Sequence, residues 1–145
     1  MQIVSEDNMK VCGVDLSAHD AIVVILNGTR TSWHLVDCEP RKITLPDDED
    51  AGQVRTFRDA MDAFIKHHGI QRTAVKKRGK KGKFAGGSVS FKMEGLIQLI
   101  ETCDVILLPV QTIAKVAKEH PNAFPEELNQ YQREAFYTAL TALDT

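Results

Sequence analysis

One carboxylate interrupts an otherwise apolar run, Val11-Cys-Gly-Val-Asp15-Leu16. If residues 11–16 form a strand, the two-residue period sets Val11, Gly13 and Asp15 on one face and Cys12, Val14 and Leu16 on the other. An acid in that setting either meets solvent at a sheet margin or lies in a site where a metal ion, a phosphate donor or a hydrogen-bond network offsets its desolvation. The opposite charge is gathered further along. Arg72, Lys76, Lys77, Arg78, Lys80, Lys81, Lys83 and Lys92 fall within residues 72–92 with no acid among them, and Gly79 to Gly87 interleaves lysine and glycine with Phe84. Dense lysine, glycines that let the backbone approach, an aromatic able to stack and an adjoining helix start make a phosphate-contact loop. A solvated surface loop has the same composition. The spacing does not match Gly-x-x-x-x-Gly-Lys-Ser/Thr, which excludes a Walker-type nucleotide loop.

The remaining titratable residues point to structure. Asp47, Asp48, Glu49 and Asp50 precede an amphipathic stretch, where carboxylates meet the positive end of a helix dipole. His67 and His68 fall in the last turn of that stretch, and His19, His34 and His120 are scattered singles. No His-x-His or His-Glu-x-x-His spacing occurs, so histidine ligation of a metal is not indicated. Cys12, Cys38 and Cys103 are odd in number and widely spaced, as suits reduced thiols in the cytoplasm. The 145 residues make one domain with 43% apolar and 26% charged residues, near the globular average. The net charge of -2 conceals a strongly positive segment. The longest apolar runs, Ala21 to Leu26 and Val105 to Val110, are far short of the roughly 20 residues of a membrane span. Residues 1–9 read as a loose tail and residues 10–145 as a single domain.

The elements that must position these groups follow from periodicity. Residues 21–26 form a second strand after the break at Ser17-Ala-His-Asp20, and Asn27-Gly28 signals a tight hairpin into a third strand over Thr31 to Cys38. Pro40 interrupts that strand, and Ile43 to Leu45 extend it. Val54, Phe57, Met61, Phe64, Ile65 and His68 mark a helix over residues 51–68 that stops at Gly69. A strand over Arg72 to Arg78 leads through the basic loop to a helix capped by Ser88 or Ser90 and marked by Val89, Met93, Leu96, Ile97 and Ile100. Asp104 ends it. Val105 to Val110 reads as a central strand buried on both faces. A short helix carries Ile113, Val116 and Ala117, and Pro125 opens a last helix with Leu128, Tyr131, Ala135, Ala139 and Leu143 as its stripe. A three-strand antiparallel meander followed by two crossover strands gives a mixed α/β sheet with helices on both faces.

That order, with an aspartate in the first strand, resembles the ribonuclease H-like fold. Cys12-Gly-Val-Asp-Leu-Ser17 is similar to the first-strand Gly-Ile-Asp-x-Gly-Ser pattern of the Holliday junction resolvase branch, the RuvC-like proteins. Val110 to Lys118 is similar to the Pro-x-x-Val-Lys-Lys segment of that branch, with Lys115 on its first lysine. A small bacterial family of unknown function within the superfamily is a further resemblance, and it carries no activity over. The resolvase resemblance implies phosphodiester cleavage with paired Mg²⁺ or Mn²⁺ ions, which need several carboxylates converging on one point. Asp15 matches the first of these. Glu134 falls near the acid that begins the last helix, where Tyr131 replaces a second one. The fourth strand ends in Lys76, Lys77 and Arg78 where the resemblance asks for glutamate, and a cation there repels a divalent ion. Glu94, one turn into the next helix, is the available substitute. Asp15 with Glu134 is then the candidate metal pair, and Asp15, Glu134 and Glu94 are the candidate catalytic residues.

Three readings follow. The first is a nucleic-acid-binding protein with an incomplete metal site, contacting DNA or RNA through Lys76, Lys77, Arg78, Lys80, Lys81, Lys83 and Lys115. The second is an active metal-dependent, structure-selective endonuclease. The third is a protein-interaction or small-ligand domain, with a homodimer as one form, which gains if the acids at 47–50 neutralise the basic run within the fold or across a dimer.

Overall fold

The computed structural model describes residues 9–79 and 87–145. Its centre is a pair of nine-residue antiparallel strands, β1 (Met9–Ser17) and β2 (Asp20–Gly28), with Val14 opposite Val23 and Asp15 opposite Ile22. Ser17 pairs with Asp20, so Ala18 and His19 alone turn the chain, and Ala18 takes a left-handed φ of 53°. Asn27-Gly28, expected to form the next turn, still lies within β2, opposite His34 and Trp33. The turn falls on the following four residues, closed by reciprocal backbone hydrogen bonds between Thr29 and Ser32. Gly28 is required all the same: its φ is 129°, and a side chain would strike the Ser32 carbonyl oxygen.

The third strand, β3 (Trp33–Val36), is shorter than the periodicity suggests. Residues 42–44 do not extend it; they form β4 (Lys42–Thr44), which pairs with the opposite end of β2 through Ala21 and Ile43. Burial of Ile43 and Leu45 holds β4 there. Helix α1 (Ala51–His68) buries Phe57, Met61, Phe64 and Ile65 and ends at Gly69, whose φ of 63° lets Ile70 N–H reach the Ile65 carbonyl. The acids at 47–50 lie ahead of its first turn. Asp47 accepts from the Glu49 backbone, and Asp50 at the N-cap makes no side-chain cap bond.

β5 (Arg72–Lys76) runs parallel to β1, and after α2 (Ser88–Gln98) β6 (Asp104–Leu108) runs parallel to β5. Gly87, not a serine, is the α2 N-cap, while Ser90 Oγ donates back to the Gly87 carbonyl. Asp104 opens β6 and does not end α2. The six-stranded sheet has the order β3-β2-β1-β5-β6 with β4 on β2, so β6 is a margin strand and β1 is central. The apolar run at 105–110 misled on this point because it reports two covered faces: Val105 and Leu107 meet one core, Ile106 and Leu108 the other. Val110 belongs to α3 (Val110–Glu119) and is exposed.

Pro125 does not open the last helix. A 3₁₀ turn at Gln130–Gln132 leads into α4 (Arg133–Ala142), and Tyr131 lies on the surface beneath the Lys42 ammonium. The two faces of the sheet carry separate cores. Cys12, Val14 and Leu16 pack with Phe57 and Met61 of α1 and Met93 and Ile97 of α2. Val11, Val24 and Ala74 pack with Ile113 of α3 and with Phe136, Tyr137 and Leu140 of α4. Each buried large side chain contributes about 1.5–3 kcal/mol against about 0–1 for an exposed ion pair, so these cores fix the positions of the strand ends.

Candidate functional site

Helix α4 sits closely enough on β1 to set the site. A Cβ on Gly13 would land on the carbonyl of Ala135 and the backbone nitrogen of Ala139, so helix and strand meet backbone to backbone. Asp15 is two residues along on the same face, and Glu134 is in the first turn of α4. The parallel pairing of β1 with β5 ends at Val14 and Val75; one step on, the register sets Lys76 beside Asp15. Lys76 Nζ stands 3.7 Å from Glu134 Oε2, with the lysine side chain only 19% exposed and the glutamate 51%. Burial pushes the Asp15 carboxyl above its ordinary value; Lys76 and then Arg78 pull it down, and Glu134 raises it further. Two acids and two cations therefore share one end of the central strands.

The other expected residues divide around this cluster. Glu94 approaches from α2, on the opposite face of the sheet, and its Oε2 accepts the Arg78 backbone N–H at 3.0 Å. It holds the exit of β5. Arg78 Nε is buried and has no hydrogen-bond acceptor among the described residues. Lys77 is exposed, with its backbone tied to the Leu108 carbonyl. Lys115 is exposed on α3. Lys80, Lys81, Lys83 and Phe84 lie outside the described residues. The acids at 47–50 do not neutralise residues 72–79 among the ion pairs described: Asp48 takes Lys92, whereas Arg72 takes Asp104 and Asp144.

Beside the Lys76–Glu134 pair, α3 and α4 enclose a cavity of about 220 Å³ lined by Val110, Ile113, Ala114, Ala117, Arg133 and Tyr137. Arg133 lies over the Tyr137 ring at 4.9 Å, and Tyr137 Oη donates to the His120 carbonyl. Sequence reasoning passed over Arg133 and Tyr137. The available signal was their place in the first two turns of the helix that carries Glu134.

This arrangement does not fit a pair of divalent ions. No group of three or more histidine, cysteine or acidic side chains is poised to hold a metal among the described residues. The Lys76 ammonium pairs with Glu134 and acts on Asp15, and by Coulomb's law it opposes a divalent cation beside them. No described helix is long and apolar enough to cross a membrane.

Two solved structures have this architecture. The Thermus thermophilus RuvC structure matches with a TM-score of 0.68 and 13% identity over 92% of each chain. T. thermophilus RuvC in complex with a Holliday junction substrate matches with a TM-score of 0.64 and 11% identity, over 92% of this chain and 91% of that one. At such identities the likeness shows the fold alone: the chain has the mixed α/β, ribonuclease H-like fold that RuvC also has. No curated protein matches its sequence. Residues 9–142 match the family described as "Protein of unknown function (DUF3010)", and the chain belongs to that family.

Proposed function

We propose that this protein binds nucleic acid across the face formed by Asp15, Lys76, Arg78 and Glu134, without efficient paired-metal cleavage. The observation that supports it most is the pairing of Lys76 with Glu134 beside Asp15, which sets a cation where metal-dependent hydrolysis needs carboxylates. Arg78 adds a half-buried guanidinium whose Nε has no acceptor among the described residues, and Lys77 and Arg133 are exposed. Guanidinium and ammonium groups around a cleft are what a phosphate backbone requires. Lys115, and from the sequence Lys80, Lys81 and Lys83, are the further phosphate contacts in this reading. One fold neighbour was solved with a branched DNA, which makes junction DNA the first ligand to try. The three free thiols suit a cytoplasmic setting.

The test is fluorescence anisotropy with junction, duplex and single-stranded DNA and RNA over a salt series. Binding that weakens steeply with salt is the expected result. No binding to any of them at low salt overturns the reading and favours a small-ligand or protein-interaction role, for which the α3–α4 cavity is the available site. A second reading, an Mg²⁺- or Mn²⁺-dependent nuclease, draws on Asp15 and Glu134 sharing one strand end. It requires cleavage of a branched substrate that Asp15→Asn abolishes; binding without cleavage decides against it.

A further inference from the structure

We infer that the Lys76 ammonium is a built-in counter-ion to Asp15 and Glu134 that does the electrostatic work of a divalent cation, and that this one side chain closes the site to metal. The inference concerns the charged cluster described above, but it stands whether or not nucleic acid binds there.

Three observations carry it. Lys76 ends β5 on the α4 face, because Ala74, two residues earlier, packs into the α4 core while Val75 packs into the other. Its stem is therefore directed over Asp15 by the sheet itself. Next, the side chain is only 19% exposed, although a lysine at a strand end has open solvent within reach. Burying that stem keeps the charged head beside Glu134 and close enough to act on Asp15, whose other counter-charge is Arg78. Third, Lys76 Nζ stands at ion-pair distance from Glu134 Oε2, 3.7 Å, and is the first of the two cations that act on Asp15. One ammonium thus offsets charge on both acids, which is the electrostatic work of a bound cation. An ordinary surface ion pair would have both partners solvated and would be worth about 0–1 kcal/mol. Here only the Glu134 side is open.

The converse follows by charge count. With Lys76 replaced by glutamate, three carboxylates meet at one strand end, and oxygen donors of that kind hold Mn²⁺ or Mg²⁺. The decisive experiment uses metal alone. Mn²⁺ binding is measured by titration calorimetry, and melting temperature with and without Mn²⁺, for the full chain, Lys76→Glu, Lys76→Glu with Asp15→Asn, and Lys76→Met. The parent protein should show no Mn²⁺-dependent rise in melting temperature. Lys76→Glu should bind Mn²⁺ about tenfold or more tightly than the parent and melt higher in its presence, and Asp15→Asn should remove both effects. A folded Lys76→Glu without Mn²⁺ binding overturns the inference, as does a parent protein that binds Mn²⁺ in an Asp15-dependent manner. Lys76→Met guards against misfolding of the triacid variant. It should melt below the parent, and Asp15→Asn should recover more stability in that background than in the parent. A Lys76→Met protein as stable as the parent also overturns it.

Discussion

Gly13 of β1 lies so close beneath Ala139 of α4 that a single added carbon would overlap the Ala139 backbone nitrogen. This contact sets how far α4 projects past the end of β1, and so where Glu134 stands relative to Asp15 and Lys76. Backbone cannot yield as a flexible side chain can. Gly13→Ala should therefore cost about 3 kcal/mol or more, at or above the upper end of overpacking penalties. Urea unfolding of the two proteins measures it. A variant within about 0.5 kcal/mol of the parent, the range of surface substitutions, would mean that α4 slides freely on β1.

Asp15 should act against stability at neutral pH. Its carboxyl is raised in the folded state, chiefly by burial, so the fold favours the protonated form. That contribution is fully present below the unfolded value and is lost as pH rises through the folded-state value. Asp15→Asn keeps the shape and removes the ionisation. It should melt above the parent at about pH 7, and the difference should vanish below about pH 4, near the ordinary range of an aspartate. Melting curves across that interval check the sign. A parent protein more stable than Asp15→Asn at neutral pH would show that Lys76 and Arg78 outweigh desolvation.

The far end of α4 is held by guanidinium groups. Arg30 Nη2 donates to the Thr141 and Leu143 carbonyls at 2.8 and 3.3 Å, and Arg72 Nη1 donates to the Ala142 carbonyl at 3.0 Å. These are the free carbonyls of a helix C-terminus, where a cation also meets the negative end of the dipole. Arg30→Met should cost about 1.5–3 kcal/mol, the range for hydrogen bonds to charged groups. Amide exchange should quicken in the last turn of α4 before it does in β1. Uniform loss of protection across both elements would show that Arg30 supports the whole fold instead.

Much of this layout was legible because burial leaves a period in sequence. The alternation around Asp15, the stripe Phe57-Met61-Phe64-Ile65 and the stop at Gly69 all report local geometry, and the structure has each of them. What was not legible depended on partners distant in sequence. Residues 105–110 looked central because both faces are covered, and neighbour count along a sheet edge leaves no mark on hydrophobicity. Helix α4 starts at Arg133 and not at Pro125 because the 3₁₀ turn before it is stabilised by a capping box between Asn129 and Gln132, with Gln132 buried against the Val23 carbonyl. At the site, Asp15 stood out from its apolar run, and Glu134 was named through the resemblance to the resolvase branch. The position of Lys76, next to Asp15 in register and paired with Glu134, needed the β1–β5 register and the placement of α4 together.

The salt dependence of nucleic-acid binding can be assigned to residues. If the face at the end of β1 and β5 contacts the phosphate backbone, removing one contacting cation should lower the slope of log affinity against log salt by about 0.9 on duplex DNA and weaken all sequences alike. Lys77→Ala and Arg133→Ala are the informative substitutions: both side chains are exposed, and neither is in an ion pair among those described. Arg58→Ala is the control, since Arg58 is on α1 across the sheet and pairs with Asp59 at 3.0 Å. The slope should fall for Lys77→Ala and Arg133→Ala and hold for Arg58→Ala. Equal loss in all three would indicate attraction by the overall charge of the chain, and an unchanged slope in the first two would move the binding surface elsewhere on the domain.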